Sequence, residues 1–175
     1  MEDSIEHILG GRFSKDKFIS YIQNNLSEFN KTLEISISDL KPQAWRAAWV
    51  IHHCMSSNDI RIQPYIGKFI NYIDHTGDGH QRELLKILSK MKIDEDQEGY
   101  LFDKCTTIWE DVSKSPSVRI IAFRFMVQVA ENYPELKNEM GFFCQDHYID
   151  ELSPGIKNSL QKLIKSAKIN QNING

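Results

Sequence analysis

Along most of this chain, apolar residues recur every three or four positions, the period of helices that each bury one face. Short clusters of Ser, Asn, Asp, Gly and Pro interrupt the pattern where helices stop or start. Ser4 to Leu9, closed by Gly10-Gly11, reads as one short helix with a glycine stop. Ser14 is placed to cap a helix carrying Phe18, Ile22, Leu26 and Phe29 on one stripe. Leu33, Ile35 and Ile37 alternate as in a strand, but no partner run occurs elsewhere, so the segment reads as helical or irregular. From Pro42 onward the pattern is regular. Helices are expected at Ala44 to Met55, at Ile60 to Ile73 with Pro64 in the first turn, around Leu84 to Met91, and at Leu101 to Val112. Ser115 to Ala130 follows, apolar on almost every side and therefore expected between neighbours. Pro134 opens a helix with Leu136, Met140, Phe143 and Tyr148, and Ser153-Pro154 opens the last, with Ile156, Leu160, Leu163 and Ile164.

Placed under one another, these helices show a period. Arg46, Arg82, Arg119 and Lys157 stand near the starts of alternate helices, 36, 37 and 38 residues apart. Seven or eight residues before each is an aspartate: Asp39, Asp74, Asp111 and Asp150. A carboxylate near a helix N-terminus is favoured by free N–H groups, and the following arginine is expected to bridge to an adjacent aspartate. With the apolar spacing, these residues resemble the HEAT-repeat family. The best local match runs from Asp111 through Val118-Arg119-Ile120-Ile121-Ala122; Asp74 with Arg82-Glu83-Leu84-Leu85 and Asp39 with Trp45-Arg46-Ala47-Ala48-Trp49 are looser. The resemblance implies an all-α fold, a right-handed α-solenoid of about four antiparallel helix pairs. It departs from the family pattern in a longer Asp-to-Arg gap and in Lys157, which lacks a guanidinium fork. The expected boundaries are a short N-terminal helix and turn over 1–13, a single solenoid domain over 14–168 and a disordered polar tail over 169–175.

Counting from each arginine at 100° per residue separates two faces. Val118, Ile121, Ala122 and Phe125 fall on the face shared by the repeats, which should stack. The last helix is apolar on that face only and carries Lys162, Lys165 and Lys168 elsewhere, as a terminal cap should. On the other face Glu83, Lys86 and Lys90 are polar, whereas Ile120, Phe123 and Val127 are apolar beyond what stacking requires. With Arg124 beside them, these three form the candidate partner-binding patch if that face is open, and core if neighbouring helices cover it.

Composition narrows the chemistry. The net charge of −3 arises from interspersed acids and bases, which disfavours a general nucleic-acid binder. The N-terminus lacks the basic and apolar regions of a secretory signal, and no stretch approaches a membrane span. Cys54, Cys105 and Cys144 are odd in number and far apart, so they read as free thiols in a reducing cytoplasm. Adjacent His52 and His53 point about 100° apart. His52 falls on the core face and is expected to be hydrogen-bonded there. His75, Asp78 and His80 share a turn and read as solvated residues rather than a metal site. No nucleophile, phosphate-loop or zincin motif occurs, so no cofactor, metal or catalytic residue is expected. The expectation is a non-enzymatic scaffold that binds an unidentified protein or peptide. Trp45, Trp49 and Trp109 raise the alternative of a nucleic-acid-associated protein like the HEAT-like DNA glycosylases, which basic clustering on the folded surface would favour; a regulatory subunit of a larger complex is a third reading.

Overall fold

In the structure, a computed structural model, residues 5–11 and 14–169 are described. The proposed start of the first helix at Ser4 and the tail beyond Ile169 lie outside them. The described residues contain helices, turns and no strand, and they form two compact units, Met1–Ile93 and Asp94–Gly175.

Unit 1 holds α1 (Ile5–Gly10), α2 (Lys15–Asn24), α3 (Leu26–Ile35), α4 (Gln43–Cys54), α5 (Ile66–Tyr72) and α6 (Asp78–Leu88). The expected stripe from Phe18 to Phe29 is broken. Asn25 takes an extended backbone and its side chain accepts from Glu28 N–H, ending one helix and capping the next. Leu26 is left exposed, while Phe18, Ile22 and Phe29 are buried. Ser14 makes no side-chain cap. Leu33 and Ile35 belong to α3. The helix expected from Ile60 is a 3-10 turn at Gln63–Tyr65 running into the shorter α5, and Ile60 is exposed. Helix α4 is the centre of this unit, packing against α1, α2, α3 and α6. Its Ala44, Ala47, Ala48, Val50 and Ile51 are buried, and the small side chains permit close helix approach.

Unit 2 holds α7 (Glu95–Glu110), α8 (Pro116–Ala130), α9 (Pro134–Glu139), α10 (Asp146–Ile149) and α11 (Pro154–Ala167). Asp94 caps α7, accepting from Gln97 N–H at 3.0 Å. Helix α8 lies at the centre, packed against α7, α9 and α11, as its near-uniform apolarity predicts. The helix expected from Pro134 is three pieces, α9, a 3-10 turn at Met140–Cys144 and α10. Helix α11 is one-sided: Leu160 and Ile164 are buried, and Lys162, Lys165 and Lys168 are exposed. Ile169, expected to begin a loose tail, is buried and its N–H donates to Ile164 O at 3.1 Å.

Candidate functional site

The candidate patch on α8 is not a surface. Ile120 is 5 % exposed, Phe123 0 % and Val127 3 %. The Phe123 ring packs against Trp109 of α7, centroids 4.6 Å apart. Val127 shares a small crevice with Ala130, Ala167 and Ile169. Of the four residues proposed, only Arg124 is exposed. The outward stripe of α8 is instead Ile121, Arg124 and Gln128, and Ile121, expected in the core, is only partly covered. Arg119, from which the two faces are counted, is itself fully buried, so both faces of α8 are covered and only the strip through Arg124 is open.

The repeat charges also serve another purpose than an arginine-aspartate ladder. Arg119 Nε donates to Trp109 O at 2.9 Å and its Nη2 to Tyr148 O at 2.6 Å, so one guanidinium satisfies the ends of α7 and α10. It also stacks on Trp109 at 4.9 Å. Burial lowers its pKa, and the nearby Asp111 partly opposes that shift. Arg46 Nη1 likewise donates to Leu9 O at 2.7 Å and Gly11 O at 3.0 Å, closing the end of α1. Arg82 pairs with its neighbour Glu83 at 3.0 Å, and Lys157 is partly covered in the first turn of α11. The four aspartates, Asp39, Asp74, Asp111 and Asp150, are exposed. Asp39 accepts from Tyr72 Oη, and Asp111 from the N–H and hydroxyl of Ser113.

The feature with the character of a site lies in unit 1. A cleft of about 520 Å³ opens where the starts of α4 and α6 meet the end of α5. Its lining includes Lys41, Trp45, Tyr72, His75, Asp78 and Arg82. Trp45 is 40 % exposed, unusual for an indole on a helix whose other face is buried. Gly77 and Gly79 also line the cleft, and a side chain at either would meet only open space. They keep the backbone at the start of α6 accessible. His80, expected in solvent, is buried; its Nε2 donates to Ser36 O at 2.8 Å, and burial lowers its pKa despite that bond. The described residues contain no group of three His, Cys, Asp or Glu able to hold a metal ion.

From this cleft a connected series of cationic and aromatic groups runs along α4 and α6. Arg82 and Lys86 both bind Glu83, whose side chain is fully buried, leaving the trio with net positive charge. Lys90 Nζ donates to His52 O at 2.9 Å. His52 and His53 have ring centroids 5.0 Å apart, His53 and Trp49 4.1 Å, and Lys15 stands 5.0 Å over Trp49. Arg46 lies 5.8 Å from the Trp45 ring. His52 is not the hydrogen-bonded core histidine expected. It is half-buried, its Nδ1 lacks a partner, and its pKa is pushed down to about 4 by burial and then by Lys90. Sequence reading missed this face because its members come from offsets judged separately on two helices. The one signal available was the tryptophan pair Trp45 and Trp49 on α4, of which Trp45 is 40 % exposed and Trp49 partly covered, whereas Trp109 is fully buried.

No helix of the described residues is long and apolar enough to cross a membrane. No curated protein and no solved structure gives a significant match to the chain. The HEAT repeat domain family matches it over residues 8–167, across both units. HEAT repeats are helical scaffolds that typically mediate protein interactions and are generally non-catalytic. With helices throughout the described residues, a recurring arginine near the second-helix start and a match over nearly its whole length, the chain belongs to the HEAT repeat family.

Proposed function

We propose that the chain is a non-enzymatic adaptor that binds a segment of another protein through the aromatic and cationic face of unit 1. The observation that carries this reading is Trp45, exposed at the mouth of a cleft large enough to enclose a side chain or two. An exposed indole beside an apolar cleft offers an anchor point at low entropic cost. The family's usual role supports the scaffold reading. The thiol at the end of α4, Cys54, is buried away from this face and its pKa is pushed up to about 11 by burial, which suits an inert side chain better than a nucleophile. The free thiols among the described residues suit a reducing compartment, and the cytoplasm is proposed on that ground.

The experiment is selection of peptides from a random display library on the full chain, with Trp45→Ala as the counter-target. The expected outcome is enrichment of related sequences on the unmodified chain that is lost on the variant. Equal enrichment on both would remove the cleft from the proposal. A second reading, association with nucleic acid, draws on the same clustering of cations and indoles; retention of oligonucleotides rather than peptides would favour it.

A further inference from the structure

We infer that the segment received by this face is acidic and carries an apolar side chain. Its carboxylates meet Lys41, Arg82, Lys86 and Lys90 while an aromatic or aliphatic group enters the cleft beside Trp45. The inference rests on the proposed protein-segment reading and adds the partner's chemistry.

Charge complementarity is the first argument. The chain as a whole is net negative at −3, yet the face just described gathers Lys15, Lys41, Arg46, Arg82, Lys86 and Lys90. Carboxylates on or beside it include Glu83, Asp78, Asp39 and, next to Lys15, Asp16, and Glu83 is buried beneath Arg82 and Lys86. The half-buried His52, with its pKa near 4, is neutral at pH 7 and adds no charge to this face. A cationic surface on an otherwise acidic protein steers and orients an acidic partner while repelling basic ones. Shape is the second argument. The cleft is confined to one end of the face, between Trp45 and Tyr72. It therefore suits one inserted side chain followed by an extended acidic stretch. A polynucleotide needs a repeating track of cations along its phosphates. Here Asp78 lines the cleft and Asp39 accepts from Tyr72 beside it, so carboxylates stand among the cations in place of a continuous basic track.

The test uses the full chain and fluorescein-labelled probes read by anisotropy: a short glutamate peptide with a central leucine-phenylalanine pair, its lysine counterpart, a neutral serine counterpart with the same apolar pair, and a short oligothymidylate. The glutamate peptide is expected to bind best and to weaken as salt rises. Lys41→Glu, at an exposed position, and Trp45→Ala should each weaken it by about tenfold or more. Circular dichroism of both variants keeps loss of binding distinct from loss of fold. Equal binding of the serine peptide with the same dependence on Trp45 would overturn the acidic inference and leave the adaptor reading standing, as would preference for the lysine peptide. Binding of oligothymidylate alone, or of no probe, would overturn both.

Discussion

Arg119 has its entire side chain out of water. Two helix-end carbonyls and the Trp109 ring hold it, and Asp111, exposed at the end of α7, favours the charged form from a distance. A lysine in its place has no fork to span both carbonyls. Arg119→Lys is expected to lower stability by about 2–3 kcal/mol, seen as a lower urea midpoint with an unchanged slope. An unaltered midpoint would mean that the helix ends do not depend on this residue. Phe123 and Arg124, adjacent in sequence, should separate cleanly. Phe123→Ala opens a cavity against Trp109 and is expected to cost about 3–5 kcal/mol. Arg124→Ala, at an exposed position, should stay within about 0.5 kcal/mol. Similar losses for the two would contradict the placement of α8.

His52 sets a pH dependence whose sign follows from its neutral preference. Its ordinary pKa of 6.5 falls to about 4 in the folded chain, so the unfolded chain binds the proton first on acidification. The stability linked to this group is present above pH 6.5 and is lost as pH falls toward about 4. His80 shifts in the same direction, again chiefly through burial. The urea midpoint is expected to decline on going from neutral to mildly acidic pH, and the decline should be shallower in His52→Gln. An identical profile for that variant would remove His52 as a source.

At the scale of elements, the positions of most helices were legible and the orientation of the central one was not. Pro116 and Pro154 stand in the first turns of α8 and α11, where a missing N–H costs little and the fixed φ suits a helix. Asp94 is a local signal of the same kind. Asp94→Ala should destabilise α7 by about 1 kcal/mol, measurable as faster amide exchange in its first turn. Exchange unchanged there would show that the cap is dispensable. The break at Asn25 was hidden because Leu26 continues the apolar spacing across it, although the exposed Leu26 takes no part in the core. For α8, apolar residues all round leave no amphipathic phase to read: Val118, Ala122 and Phe125 are buried as expected, but so is the opposite face, and only Ile121 departs from the expected core. Ile121 was expected in the core, while Ile120, Phe123 and Val127 stood between an open face and a covered one, and neighbouring helices cover them.

At the scale of the molecule, the three cysteines report on the packing of both units. Cys54 and Cys105 are buried, Cys144 is partly covered, and burial raises the pKa of all three. A thiol reagent at neutral pH should label Cys144 first and slowly, and Cys54 and Cys105 only as urea unfolds the chain. Rapid labelling of Cys105 under native conditions would be incompatible with its full burial. The helical class, the repeat period and most helix starts were legible in the sequence, because apolar spacing, proline and the recurring arginine act locally or at a fixed interval. What the arginines bind, how far α8 is covered and where a cleft opens depend on contacts between segments distant in sequence. A guanidinium chooses among carbonyls and carboxylates that folding brings near it. The cleft at Trp45 likewise exists only where the starts of α4 and α6 meet the end of α5.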